Sequence, residues 1–244
     1  MAQETTLYGV DLYGEKSLHR LLDELNKIED LFWIRIMYCY PEEITEELVQ
    51  TIKTEKKICH YLDLPIQHCN DDILKRMGRK TTQADLREKI SMLRKEIPDI
   101  ALRTTLISGF PGETNENHEE CVDFVANTKF ERLGVFPYSP EEGTPAAGYD
   151  RQLPEEIKQE WADEIMQTEQ NVIFAQNEEM IGRRLSVIVD GYLPEDGVYV
   201  GRTYRDAPEI DGCLFFEAPY EIISGTILPV SYTHLRAHET DQYL

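Results

Sequence analysis

The sequence contains few cysteines, and they lie far apart. There are five, Cys39, Cys59, Cys69, Cys121 and Cys213, and the two nearest, Cys59 and Cys69, are ten positions apart. Scattered cysteines argue against a disulfide framework and fit a reducing compartment. An iron–sulfur cluster needs several thiolates, usually from a short loop of closely spaced cysteines. The sequence contains no such loop.

Long apolar runs, a charged leader and an excess of basic residues are also missing. Apolar runs reach only a few residues, so the sequence predicts neither a membrane span nor a secretory signal, and we expect a cytoplasmic protein. The 25 Lys and Arg face 46 Asp and Glu, which gives a formal net charge of −21. This balance disfavours a nucleic-acid backbone and favours a basic partner. With 244 residues, 41% of them hydrophobic, the chain can form one large or two modest domains.

Helical and strand-like patterns alternate up to about residue 140. Apolar residues recur with helical spacing in residues 18–28, 86–97 and 121–128. The strand-like runs are residues 33–40, 60–67, 101–110 and 132–139. This order predicts an α/β fold of parallel βα units with its active site at the carboxyl ends of the strands. Four strands do not close a barrel, so we expect only the later strands of a TIM-like barrel in residues 1–150.

Alternation along these strands predicts a polar face. Its members are Arg35, Asp63, Gln67, Arg103 and Thr105, whose neighbours on the opposite face are apolar. A polar face of this kind favours a cavity for a polar ligand. The alternative is that Asp63 forms a structural ion pair with Arg35 or Arg103, and the two interpretations are compatible.

The pattern changes after Tyr149. Residues 151–182 are predicted to form a helix that connects two domains, beginning near Pro154. Residues 183–229 contain short strand-like runs at 185–189, 198–200, 214–216 and 222–223, which are separated by Gly, Pro and Asp. Short strands with frequent turns predict a small β-barrel.

The carboxy-terminal residues are interpreted as a non-native tail. Residues 230–240 resemble the translation of a sequencing adapter, so residues 230–244 are set aside, and with them the pair His234 and His238, whose spacing would otherwise indicate a metal site. We therefore expect a piece of a longer protein, with its first barrel strands and the last strand of the small β-barrel missing.

Several motifs together indicate one known family. They include Gly-Phe-Pro-Gly-Glu-Thr at residues 109–114 and the segment from Tyr-Val-Gly-Arg to Ile-Asp-Gly at residues 199–212. The other segments are residues 2–9, 38–43, 61–68, 73–79, 103–114 and 138–147. These residues resemble the radical S-adenosylmethionine (SAM) methylthiotransferases; the first motif is common to the wider group, and the second is more specific to the members that modify a ribosomal protein. The resemblance covers residues 2–229. It implies a partial radical SAM barrel followed by a truncated TRAM domain.

The family's chemistry implies SAM and two [4Fe-4S] clusters as cofactors. One cluster would cleave SAM to a radical, and the second would assist insertion of sulfur. The product would be a methylthio group on the β-carbon of an aspartate in protein twelve of the small ribosomal subunit. The cluster cysteines are absent from this sequence, so no catalytic or metal-binding residue is assigned, and we expect the chain alone to be inactive.

The resemblance also implies SAM contacts. Gln3 and Glu4 match the segment near the methionine amino end. Further positions are assigned where strands would meet SAM or where a turn would approach it, and they are Gln67, His68, Arg103, Thr105, Gly109 and Gly112. The glycines permit a close backbone approach to a ligand, although they could equally form an ordinary strand-to-helix turn.

The sequence also allows three other functional interpretations. An aldolase-type barrel would need a catalytic lysine on an inner strand face, and the four strand-like runs contain none. A tRNA methylthiotransferase would share the fold and chemistry, but residues 183–229 hold eight acidic residues against four arginines, which favours a basic ribosomal protein over nucleic acid. A non-catalytic acidic binding module is the third. For the protein partner we predict contacts from Asp206, Glu209 and Asp211.

Overall fold

The computed structural model describes residues 4–233. The elements of the first part are α1 (Val10–Tyr13), α2 (Leu18–Asn26), β1 (Ile34–Ile36), α3 (Glu46–Thr54), β2 (Ile58–Asp63), α4 (Asp71–Arg76), α5 (Gln83–Glu96), β3 (Ala101–Ser108), α6 (Asn115–Thr128) and β4 (Arg132–Pro137). They are followed by α7 (Glu155–Met180), β5 (Arg184–Leu193), β6 (Val198–Arg202), β7 (Leu214–Phe216) and β8 (Ile227–Ser231). The chain divides into two compact units inside α7, between Val172 and Ile173.

The first unit contains a parallel four-stranded sheet in the order β1-β2-β3-β4. This confirms the predicted α/β fold and the four strands. Local sequence signals begin the helices between them, because the side chains of Thr45, Thr82 and Thr114 each accept a hydrogen bond from a backbone N–H in the first turn of α3, α5 and α6. The helices therefore start at defined positions. The carboxyl ends of the parallel strands lie together at one edge of the sheet.

The core lies between the sheet and its helices. Leu62 and Leu64 are completely buried, together with Leu102 and Leu106 of β3 and Phe124 of α6. Each such side chain contributes about 2 kcal/mol through removal of apolar area from water. The prediction that these leucines face the helices is confirmed, which leaves Asp63 and Arg103 on the opposite face.

The segment that precedes α1 runs alongside the end of β1. The Thr5 N–H donates to the Tyr38 carbonyl over 2.9 Å, and the Thr5 hydroxyl donates to the Met37 carbonyl over 2.6 Å. These bonds satisfy backbone groups at the outer side of the first strand. They also bring Glu4 to the carboxyl edge of the sheet.

The second unit is an antiparallel sheet in the order β7-β6-β5-β8. The predicted strand at residues 222–223 is wrong, because Ile222 packs as a loop residue against the small core of Val187, Val189, Tyr199 and Phe216. The fourth strand is β8, which pairs with β5 from Ile188↔Ile227 to Arg184↔Ser231. It includes Val230 and Ser231, two positions that the sequence analysis assigned to the tail; residues 234–244 lie outside the described residues.

Within residues 4–233, no helix is both long and apolar enough to cross a membrane.

Candidate active site at the carboxyl edge of the parallel sheet

An ion pair between neighbouring strands forms the centre of the candidate site. Asp63 and Arg103 are register partners in β2 and β3, and Arg103 Nη1 lies 2.7 Å from Asp63 Oδ1. The other oxygen of Asp63 accepts the Tyr38 N–H over 3.0 Å. Of the two pairs considered from the sequence, the structure forms the one with Arg103, while the Arg35 guanidinium lies over the Tyr61 ring. Asp63, the last residue of β2, thus connects this strand to β3 and to the segment that follows β1.

Gln67 and Thr105 extend this polar face. Arg103 Nη1 donates to the Thr105 hydroxyl over 3.2 Å, and the Gln67 N–H donates to the Thr105 carbonyl over 2.9 Å. Gln67 has a φ of 70° and Tyr38 a φ of 58°, both in the left-handed region that non-glycine residues seldom adopt. Tyr38 donates its N–H to Asp63, and Gln67 follows Asp63 by four residues. Strained backbone at one place in a fold is typical of a functional site.

Glu4 joins the same edge through the backbone that follows β1. One of its carboxylate oxygens accepts the Tyr40 N–H over 2.9 Å, and the other accepts the Thr6 N–H over 2.6 Å. Gln3, the other residue predicted for this segment, lies outside the described residues. Together with Asp63, the Glu4 carboxylate raises the pKa of the Cys39 thiol, although burial is the larger cause.

Two residues of β4 complete the face and were not predicted from the sequence. Thr105 is paired in register with Gly134, and Ile107 with Phe136. A Cβ on Gly134 would lie 3.9 Å from Arg103 Nη2, and the Phe136 side chain is 58% exposed. The missing side chain keeps Arg103 accessible beside an open aromatic ring. A signal was present, since a glycine at an inward strand position marks a close approach.

His68 does not lie on this face. It is buried, with Nε2 3.2 Å from Glu113 Oε1 and with Nδ1 accepting the Asn70 N–H over 2.9 Å. The second Glu113 oxygen accepts the N–H groups of Gly109 and Phe110 over 2.8 and 2.9 Å. The ring and the carboxylate therefore use their hydrogen-bonding groups within the protein. Predicted as a SAM contact, His68 instead joins β2 to the turn after β3.

The predicted turn glycines approach protein side chains. Gly109 and Gly112 have φ values of 75° and 88°. A Cβ on Gly109 would lie 2.3 Å from Lys158 Cγ, and one on Gly112 would lie 2.8 Å from the Arg76 guanidinium carbon. The backbone at these glycines is thus close to Lys158 and Arg76, in the arrangement of an ordinary strand-to-helix turn.

Two cysteines meet beside His68, a pairing that sequence spacing did not reveal. The ligand atoms of His68, Cys69 and Cys121 lie within 4.8 Å of one another and all three residues are buried. The hydrogen bond with Cys69, followed by burial, raises the pKa of the Cys121 thiol well above its ordinary value. A protonated thiol is a poor metal ligand. With both His68 nitrogens hydrogen-bonded, the group is satisfied without a cation.

The described residues fit SAM better than they fit a cluster. The face from Glu4 through Asp63 and Gln67 to Arg103 carries carboxylates, an amide and a guanidinium, which are groups that can bind a polar ligand. A [4Fe-4S] cluster needs at least three thiolates. Residues 4–233 bring only Cys69 and Cys121 together, in a buried place where the thiol form is favoured. They do not fit a cluster.

The residues predicted to bind a protein partner lie in the second unit, and their exposure was partly mispredicted. Asp206 is only 4% exposed, and its carboxylate accepts the N–H and hydroxyl of Thr203 over 3.0 and 2.6 Å. Asp211 accepts the Ala207 N–H over 2.8 Å, while Glu209 is exposed with a φ of 62°. Asp206 and Asp211 therefore fix the turn after β6, and the expectation of three exposed carboxylates was wrong.

Comparison with known families agrees with the architecture. A model of the radical SAM superfamily matches residues 3–125, half of the chain. The chain belongs to the radical SAM superfamily. A model of the TRAM domain matches residues 181–240, which includes the antiparallel sheet and extends into the stretch assigned to a tail.

Two curated relatives share the same name. The chain is 54% identical, over 98% of its length, to "Ribosomal protein uS12 methylthiotransferase RimO" of Lachnoclostridium phytofermentans, and covers 54% of that protein. It is 50% identical to the RimO of Clostridium botulinum over 96% of its length, covering 52% of the relative. The chain spans about half the length of these curated relatives.

Among solved structures, archaeal Methanocaldococcus infernus Elp3 with its N-terminus deleted aligns with a TM-score of 0.45 and 18% identity. The alignment covers 64% of this chain and 36% of that one. A likeness at this level carries no functional argument.

Proposed function

We propose that the chain forms the SAM-facing and partner-binding parts of a radical SAM methylthiotransferase that modifies an aspartate of ribosomal protein uS12. The observation that carries the proposal is 54% identity over 98% of the chain to a protein of that name. The net charge of −21 supports a basic protein as the substrate, because phosphate backbones would be repelled.

In this proposal the polar face holds SAM. Arg103, Gln67 and Thr105 would bind polar groups of the ligand, and Glu4 would bind its amino end. The Gln67 amide has no hydrogen-bond partner among residues 4–233, so it is available to a ligand. SAM supplies the radical chemistry of this superfamily. His68, Gly109 and Gly112 would support the site through the turn after β3.

Residues 4–233 do not fit a [4Fe-4S] cluster, so no step is assigned to one. Cluster thiolates would have to come from outside this chain. We therefore expect the isolated chain to leave uS12 unmodified.

The activity can be tested in cells. This chain replaces the matching segment of the Lachnoclostridium phytofermentans relative, the chimera is expressed in a bacterium whose own uS12 methylthiotransferase gene is deleted, and uS12 is analysed by mass spectrometry. We expect uS12 to gain one methylthio group with the chimera, and none with its Arg103→Met form or with this chain expressed alone. Methylthiolated tRNA with unmodified uS12 would contradict the proposal and favour the tRNA alternative.

Binding of SAM can be tested on the chain itself. Gln67→Gly removes the amide but suits a φ of 70°, so the free energy of unfolding should stay the same or rise by about 1 kcal/mol. We expect the dissociation constant for SAM, measured by equilibrium dialysis, to rise about tenfold.

The matched control is Lys129→Gly. Lys129 also has a left-handed backbone, with a φ of 56°, and lies at the end of α6, away from the polar face. Its replacement should give a similar gain in stability and leave SAM binding unchanged. Equal SAM affinities for both variants and the parent would exclude Gln67 from the ligand site.

A further inference from the structure

The second unit contains an open cleft of about 420 Å³ that the proposed catalytic site does not use. It lies between the β5–β6 end of the sheet and the segment that follows β7. Three tyrosines, Tyr192, Tyr199 and Tyr220, line it together with Glu221. We call it the tyrosine cleft.

The floor of the tyrosine cleft is fixed by the protein. Tyr199 is buried and stacks on Phe216, with ring centroids 5.6 Å apart and planes 27° apart. The Tyr199 hydroxyl donates to the Tyr220 carbonyl over 3.3 Å and accepts the Ile222 N–H over 3.1 Å. These bonds hold the segment after β7 opposite the sheet. The cleft therefore exists before any ligand binds.

Its walls present aromatic surface to solvent. Tyr192 is 49% exposed and lies 4.8 Å from Tyr199, centroid to centroid, with the ring planes tilted by 47°. Tyr220 is 62% exposed. Exposed faces of this kind attract a cation, since the ring face carries negative charge, and a guanidinium also stacks on it.

The charged residues in and next to the lining segments, residues 195–199 and 217–222, are all acidic. Glu195 and Asp196 are exposed in the turn between β5 and β6, Glu217 is exposed after β7, and Glu221 lines the cleft. None of these four carboxylates has an ion-pair partner within the part of the chain that the structure describes. An incoming cation would find carboxylates that no internal ion pair competes for.

The arginines of the second unit are elsewhere. Arg202 forms two 2.8 Å contacts with Asp190, and Arg205 contacts the Met180 sulfur. Arg184 stands eight residues from Tyr192 along β5, which corresponds to about 26 Å, and Arg183 precedes Arg184 at the far end of this strand. No internal cation among residues 173–233 therefore occupies the tyrosine cleft.

We propose that the tyrosine cleft binds an arginine side chain from a basic segment of a protein substrate. The guanidinium would stack against Tyr192 and Tyr220 while its N–H groups donate to Glu221. The identity of the substrate as uS12 rests on the proposed function, but the recognition of arginine rests on the cleft alone. An RNA would stack its bases on the same tyrosines, yet the four carboxylates would repel its phosphates.

The test uses the whole chain and two labelled peptides. One alternates arginine with Gly and Ser, and the other carries citrulline, an uncharged analogue of similar shape, at each arginine position. Fluorescence anisotropy at low salt should give at least tenfold weaker binding for the citrulline peptide. Raising the salt to 1 M should weaken arginine-peptide binding, since screening shortens the Debye length to about 3 Å.

Two variants locate the binding. Tyr220→Ala should weaken arginine-peptide binding about tenfold, and Glu221→Gln about threefold. The matched controls are Tyr13→Ala and Glu142→Gln, exposed residues of the first unit, which should bind as the parent does. Equal binding of the two peptides, unchanged binding by Tyr220→Ala, or tighter binding of a single-stranded RNA of the same length would overturn the proposal.

A last measurement separates this proposal from the proposed function. Peptide binding that depends on Tyr220, without binding of purified uS12, would support the cleft and count against uS12 as substrate. Methylthiolation of uS12 by the chimera, together with a peptide affinity that Tyr220→Ala does not change, would support the proposed function and overturn the cleft.

Discussion

Two carboxylates at the same edge of the parallel sheet, Asp63 and Glu113, are both buried but differ in their partners. Asp63 is paired with Arg103, whose side chain is 15% exposed, so this network reaches solvent. Glu113 is paired with His68, and both side chains are 1% exposed. Only the first network therefore reaches a surface that a ligand can approach. The second stabilises the turn after β3.

A third buried carboxylate, Glu169, differs from both because it has no such partner among the described residues. Both oxygens of Glu169 in α7 lack a hydrogen-bond partner within residues 4–233. Burial, and next the charge of Glu131, raise the pKa of Glu169 to about 8, while Arg132 and Arg94 oppose the shift. Between the unfolded-state pKa of 4.5 and the native pKa of about 8, the native state keeps a proton that the unfolded chain has lost.

The largest expected effect is therefore a dependence of stability on pH. Since the native state binds the extra proton between about pH 4.5 and 8, the contribution of Glu169 falls across this window as pH rises, by at most about 1.4 kcal/mol per pH unit, and is constant outside it. Chemical denaturation from pH 5 to 9 should reveal this slope. Glu169→Gln should remove it, whereas Glu160→Gln, at an exposed position of the same helix, should retain it. An identical slope in parent and Glu169→Gln would contradict the assignment.

The strand pattern predicted the open network but not the closed one. Alternation placed Asp63 and Arg103 on one face because both lie inside regular strands. β2 ends at Asp63, and the left-handed backbone at Gln67 then breaks the period, so His68 turns toward Glu113. No pattern within a single segment could find this contact, since Glu113 lies 45 residues from His68.

The same limit explains the other errors. The proximity of Cys69 and Cys121 depends on how α6 packs, which spacing along the chain does not encode. Asp206 was expected to be exposed because it lies in a polar, turn-rich stretch. Its position three residues after Thr203, however, lets its carboxylate accept both the N–H and the hydroxyl of that residue.

The second largest effect should come from the turn that the closed network holds. Gly109→Ala introduces a Cβ that would meet Lys158 Cγ at 2.3 Å and Lys158 Cβ at 2.8 Å, at a φ of 75°. We expect a loss of about 3 kcal/mol in the free energy of unfolding from overpacking and backbone strain. Gly143→Ala is the matched control, with a φ of 83° and no atom within 4 Å, and should cost only about 1 kcal/mol. Equal losses would mean that the contact with Lys158 is unimportant.

The smallest effects on stability should separate the two networks by function. Glu113→Gln leaves an amide N–H facing the His68 Nε2–H, where both side chains are buried, and should cost about 2 kcal/mol. Asp63→Asn leaves Arg103 without its carboxylate, but that guanidinium reaches solvent, so the cost should be about 1 kcal/mol.

SAM affinity should respond in the opposite order. We expect Asp63→Asn to weaken SAM binding about tenfold, because Arg103 loses the carboxylate that orients it, and Glu113→Gln to change it less than twofold. Thermal unfolding with and without SAM measures both quantities on one sample. If Glu113→Gln weakened SAM binding more than Asp63→Asn did, the ligand would have to lie on the His68 side of the sheet edge, and the assignment of the open network as the candidate site would be wrong.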